Sequence, residues 1–135
     1  MAESQKHIDL VRIMSRYVQT KLGVEIGHIL IDLPDSTVGS KPPNIGSYRP
    51  DLYISNEKLL LIGEAKTESD WQKRHSLEQY KDYMMACLRH NGTSIFLGAV
   101  PWHIEKSLRS RLKSLFTSEQ LVRVQIIVIS DMTRF

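Results

Sequence analysis

Residues 49–66, RPDLYISNEKLLLIGEAK, carry Asp51, Glu64 and Lys66 in a stretch that otherwise reads as an apolar hairpin. Asp51 to Ser55 and Lys58 to Lys66 both have strand character, and the polar Ser55-Asn56-Glu57 between them reads as a tight turn. Side chains alternate along a strand, so Glu64 and Lys66 share a face while Ala65 points the other way. Taking Asn56-Glu57 as the loop pairs Ser55 with Lys58 and sets Asp51 opposite Ile62, on the face of Glu64 and Lys66. A slip by one residue would send Asp51 to the opposite face, so the convergence of the three depends on register. Two carboxylates brought together in a poorly solvated place repel each other, and a divalent cation is the usual way to keep both ionised. Hard oxygen ligands favour Mg²⁺ or Mn²⁺, which keep several waters, one of which can attack a phosphodiester. Lys66 would position or deprotonate that water, or stabilise charge on the phosphorane as a compact cation.

Pro50-Asp51, twelve intervening residues and then Glu64-Ala65-Lys66 closing an apolar strand resemble the signature of the PD-(D/E)XK nuclease superfamily. Gln79-Tyr80-Lys81-Asp82-Tyr83 on the following helix is similar to the Q-x-x-x-Y motif of its RecB-like members, which stand beside small nucleases of the Holliday-junction-resolvase kind. The resemblance implies Asp51, Glu64 and the Ala65 carbonyl as metal ligands, Lys66 as catalytic base or its electrostatic helper, and Gln79 near the metal. Gln79 and Tyr83 lie four apart, neighbours on a helix face beside the apolar stripe. The resemblance also implies a restriction-endonuclease-like αβββαβ core over roughly residues 4–100, followed here by a C-terminal helix and strand. Many members carry a further acid on the first helix. Glu3 and Asp9 are candidates for it, with Glu25 an alternative from the following loop.

The elements that must hold these residues can be read from periodicity. Leu10, Met14 and Tyr17, with Val11, Val18 and Leu22, predict a helix from Ser4 to Leu22, stopped by Gly23. Ile29 to Leu33 reads as a short strand, and Pro34 to Pro50, rich in Pro, Gly, Ser and Asn, as a loop that is either a solvated connection or a substrate-contacting flap. The run Leu59-Leu60-Leu61-Ile62 does not alternate, as burial on both faces of a central strand requires. A second helix follows over Trp71 to Arg89, then a strand over Ser94 to Val100. A third helix starting at Pro101 has a stripe of Ile104, Leu108, Leu112 and Leu115, and a last strand covers Val122 to Ile129. The expected plan is a single α/β domain over residues 1–135, a mixed central sheet covered by helices on both faces.

The balance of 18 Lys+Arg against 15 Asp+Glu gives a net charge of +3, which is compatible with a polyanionic partner without requiring one. Cys87 is the lone cysteine, so neither an intrachain disulfide nor a cysteine-rich zinc site is available, and its apolar neighbours read as core rather than as the setting of a nucleophile. With no basic-then-apolar leader and no spanning apolar run, the reading is a cytoplasmic protein without membrane contact. His7, His28, His75, His90 and His103 lack the spacing of a zinc helix and read as surface or structural, with His75 a lesser candidate for a phosphate contact. Trp102 reads as core or interface, Trp71 as structural before base-stacking, and Arg12 and Arg16 as a solvated face. A glycine-rich phosphate loop, a serine elbow and a dinucleotide fingerprint are all missing, which leaves small-molecule chemistry unsupported.

The function expected is therefore Mg²⁺-dependent endonucleolytic hydrolysis of DNA, with Mn²⁺ substituting. Specificity would be for DNA structure rather than sequence, and the working form a homodimer or a component of a larger repair or defence complex. The competing expectation is a catalytically inactive module that keeps the fold and binds nucleic acid or protein. Lys41, Arg49, Arg74 and Tyr83 are expected to meet the DNA, with Arg12, Arg16, Lys73 and Lys81 as further cations. The Pro34–Pro50 loop would form one wall of a groove and the start of the second helix the other.

Overall fold

A computed structural model describes residues 4–34 and 41–135. Its elements are α1 (Gln5–Lys21), a 3₁₀ turn (Ile26–His28), β1 (Leu30–Ile31), β2 (Leu52–Ser55), β3 (Leu59–Ala65), α2 (Arg74–Arg89), β4 (Thr93–Val100), a second 3₁₀ turn (Trp102–Ile104), α3 (Glu105–Leu115), α4 (Ser118–Arg123) and β5 (Gln125–Ser130). The five strands form one mixed sheet in the order β1-β2-β3-β4-β5. β1, β2 and β3 are joined antiparallel, while β3, β4 and β5 run parallel. This is the expected α/β plan, with helices on both faces.

Connectivity explains which helix covers which face. Two successive parallel crossovers that advance the sheet in one direction must place their helices on the same side, because crossovers have one preferred hand. α2 and α3 accordingly pack with Leu60, Ile62, Phe96, Val100 and Val128 in one apolar cluster. α1 covers the other face through Leu10, Val11, Met14 and Val18 against Leu52, Ile54, Leu61, Leu97 and Ala99. β3 is buried on both sides from Leu60 to Ala65, as its unbroken apolar run requires of a central strand. Ser4 caps α1 by accepting a hydrogen bond from the His7 N–H. The helix ends at Gly23, whose φ of 68° lets the Val24 N–H reach back to the Val18 carbonyl at 3.1 Å.

Three expectations need correction. The β2–β3 turn is two residues longer than a minimal hairpin loop: Ser55 pairs with Leu60, Tyr53 lies opposite Ile62, and Leu52 faces Gly63. Asn56 is the physical reason, because its side-chain oxygen accepts from both the Lys58 and Leu59 N–H groups at 2.9 Å and so builds a wider turn. Since the slip is by two, every side chain stays on its expected face. Second, Val122 does not open the last strand. Thr117 and Gln120 form a reciprocal capping box that starts α4, and β5 begins only at Gln125. Third, α2 begins at Arg74 instead of Trp71, the stretch before it being held by the Ser76 hydroxyl on the Asp70 carbonyl.

Candidate functional site

Asp51 stands immediately before β2, where Pro50 has no N–H to donate and the ladder must end. Its own N–H makes the last ladder bond, to the Gly63 carbonyl at 3.0 Å, and its carbonyl accepts from the Asp32 N–H at 2.8 Å. The side chain then replaces the missing strand, with Oδ2 accepting from the Ala65 N–H at 2.8 Å. Oδ1 is met by His7 Nε2 at 3.2 Å, a contact that brings the first turn of α1 to the mouth of the site.

Past Gly63, the alternation of β3 turns Glu64 and Lys66 to the α2 face while Ala65 packs into the α1 cluster. Lys66 Nζ lies 3.4 Å from Glu64 Oε2 and donates to Gln79 Oε1 at 2.5 Å. Asp51, Glu64, Lys66 and Gln79 expose only 5%, 5%, 7% and 8% of their surfaces, so four polar side chains share a nearly dry volume between β3 and α2. One polar pair within it is unsatisfied. Glu64 Oε1 and the Tyr83 hydroxyl are both buried and have no hydrogen-bond partner among the described residues.

Burial raises the Glu64 carboxyl well above the usual glutamate range, the Asp51 carboxylate beside it pushes the same way, and Lys66 opposes both. The Tyr83 hydroxyl is likewise held protonated, first by burial and then by the charge of Glu64. Cys87 is pushed up to about 12 by burial alone, which fits its reading as a core residue.

The structure thus brings together Asp51, Glu64 and Lys66, singled out by strand register, with Ala65 and Gln79, which the resemblance implied. Tyr83 joins them in a different position from the one expected. It is fully buried in the α2–sheet core, edge-on to Phe96 at 6.2 Å, and so offers no surface to a nucleic acid. His7 is the residue that sequence reasoning missed, since a lone histidine 44 positions from Asp51 gives no local signal. Asp9 is exposed and bonded by Gln5 at 2.8 Å, Glu25 is exposed before the 3₁₀ turn, and Glu3 lies outside the described residues. No group of three or more His, Cys, Asp or Glu side chains able to hold a metal ion occurs among the described residues. Any cation here would rest on two carboxylates and main-chain or solvent oxygen.

Among the described residues, the two walls expected of the groove touch each other instead of standing apart. Positions 35–40 of the loop lie outside the described residues, and the remainder packs directly on α2. The Tyr48 hydroxyl donates to Glu78 at 2.9 Å and its ring lies 6.4 Å from that of His75. Gly46, at a φ of 61°, approaches so closely that a Cβ there would meet Asp82 Oδ2 at 2.6 Å. Lys41 is turned to Asp32 at 3.6 Å and Arg74 to Glu78 at 3.4 Å, while Arg49 is exposed. Trp102 is also exposed, not core. A cavity of about 280 Å³ lies nearby between α1 and the turn after β4, lined in part by Lys6, Glu68, Trp102 and Asp131, but none of the buried polar cluster opens into it.

No helix among the described residues is long and apolar enough to cross a membrane. Comparisons with protein-family models, with curated proteins and with solved structures give no significant match, so the site is read from its own geometry.

Proposed function

We propose that this chain is a metal-dependent nuclease that hydrolyses DNA phosphodiester bonds at the Asp51–Glu64–Lys66 cluster. The observation that carries the reading is the buried, unpartnered Oε1 of Glu64 beside the Asp51 carboxylate. Two carboxylates are costly to bury without a cation, and an apolar-stranded fold has no structural need of them there. The resemblance of Pro50-Asp51, Glu64-Ala65-Lys66 and Gln79-x-x-x-Tyr83 to the PD-(D/E)XK nucleases supports the same assignment.

The donor set fits a hard cation. Each Asp51 oxygen accepts one hydrogen bond and retains a lone pair. Glu64 offers Oε1, and the Ala65 carbonyl leaves β3 on the same edge as the N–H that meets Asp51. A bound Mg²⁺ would neutralise the carboxylate pair and supply Lewis-acid activation of the phosphate. The protein's own side chains do the positioning. His7 and the Ala65 N–H fix the Asp51 carboxylate in one orientation. Gln79 and Glu64 take two of the three Lys66 donors, leaving one to meet a phosphoryl oxygen as negative charge builds on it. Near-complete burial keeps these interactions in a low-dielectric setting, where they act more strongly than in water.

The test is cleavage of a labelled panel of linear duplex, single-stranded, flapped and four-way-junction DNAs, plus one RNA, in Mg²⁺ or Mn²⁺. Asp51→Ala and Glu64→Ala are expected to abolish metal-dependent cutting. Lys66→Ala should lower kcat by roughly 10²–10³-fold while sparing metal affinity. Normal turnover by Lys66→Ala on saturating substrate would remove the lysine from the chemistry. An intact chain that binds these DNAs without cutting any of them would favour the inactive-module reading.

A further inference from the structure

On the sheet face that carries Asp51 and Glu64, a groove of about 530 Å³ runs between Trp71 and the outward side of α3. Its α3 wall is made by Lys106, Ser107, Ser110, Arg111 and Ser114, which helical geometry gathers into one strip opposite the buried Leu108 and Leu112. We propose that this groove seats the phosphate backbone of a nucleic-acid strand leaving the cluster at Lys66, an extension of the nuclease reading that rests on it.

Charge complementarity selects the occupant. Lys106 and Arg111 are the charged side chains lining the groove, no carboxylate lines it, and neither cation has an ion-pair partner among the described residues. Two of the three cations first expected to meet DNA differ in this, since Lys41 and Arg74 each face an acid within 4 Å. The Ser107 and Ser110 hydroxyls add donors of the kind that contact phosphate oxygens without reading sequence, while Ser114 donates to the Arg111 carbonyl at 2.7 Å. Trp71 supplies a partly exposed aromatic ring, five residues after Lys66 in the chain and held by the Tyr80 hydroxyl on its carbonyl at 2.6 Å. Concavity, unopposed positive charge, hydroxyl donors and an aromatic group fit a strand held through its backbone, with little sequence preference.

The experiment measures anisotropy of a fluorescein-labelled 20-nucleotide single strand, and of its duplex, over a salt series in chelator so that nothing is cut. The probes are the intact chain, Lys106→Gln/Arg111→Gln, and a control of equal charge change, Lys21→Gln/Lys58→Gln, at exposed positions outside the groove. Losing two phosphate contacts should flatten the slope of log affinity on log salt by about 1.4 for the single strand and about 1.8 for the duplex. The control should leave the slope unchanged. Equal slopes for all three proteins, or equal flattening by both double variants, would overturn the groove assignment. So would binding of anionic phosphatidylserine vesicles in preference to either oligonucleotide, with the groove variant abolishing it. Because no metal is present, the groove result stands or falls independently of cleavage. A flattened slope together with absent Mg²⁺-dependent cutting would preserve the groove and remove the nuclease.

Discussion

Burial and the Asp51 carboxylate together push the Glu64 carboxyl toward its protonated form on folding when no cation is present, with Lys66 opposing them. The sign of the linkage follows. A raised carboxyl favours the fold fully below the unfolded value and loses that contribution as pH rises toward the folded one. Glu64→Gln removes the titration while keeping the shape. In chelator its melting temperature should exceed that of the parent by a margin that is small near pH 4 and grows with pH. Thermal scans across pH 4–8 check this, and a margin independent of pH would contradict it. The same reasoning makes the cluster conditional: residues that weaken the metal-free fold are retained where a ligand repays the cost. Asp51, Glu64 and Lys66 were legible in the sequence because polar residues interrupt a strand pattern that has no use for them, whereas Gln79 was reached through the resemblance of Gln79-x-x-x-Tyr83 to a known helix motif. His7 was not legible, because its link to Asp51 is made by the docking of α1 across the sheet edge. Tyr83 was read beside the apolar stripe and toward nucleic acid, whereas it lies on the core-facing side of α2 against Phe96, a depth that helical spacing alone could not give.

The β2–β3 hairpin shows how an element can be misregistered and still deliver its site. The minimal-loop register and the observed one differ by two, and the period of a strand is two, so Asp51 reaches the face of Glu64 and Lys66 in both. What a two-residue loop could not anticipate is Asn56 collecting the Lys58 and Leu59 N–H groups. Asn56→Ala should therefore destabilise the chain by about 1 kcal/mol, the usual net worth of such hydrogen bonds at an exposed turn. Urea denaturation measures it. An unchanged midpoint would show that solvent satisfies those donors equally well. α4 escaped detection for a related reason: its six residues are too few for a periodic stripe, and its start is set by the Thr117–Gln120 capping box.

At the scale of the whole molecule, the mixed sheet assigns the labour between its two faces. The antiparallel half brings Asp51 to the end of β3, and the parallel half uses α2 and α3 as crossovers, so Gln79 and the Lys106–Arg111 groove lie on the face that bears Glu64 and Lys66. α1 covers the opposite face and returns His7 to the cluster at its first turn. The strand order, the three longer helices and the central strand were legible from apolar patterning, whereas α4 was not. The placement of the loop after Pro34 was not, because its docking through Tyr48 and Gly46 depends on groups of α2. The proposed function rests on the Asp51–Glu64 pair holding a divalent cation. Calorimetric titration of the intact chain with Mn²⁺ tests it most directly. Saturable uptake is expected, tightening with rising pH as Glu64 gives up its proton and lost in Asp51→Asn and in Glu64→Gln. Uptake of the same strength in the parent and both variants, or none in the parent at any pH between 6 and 8, would contradict it.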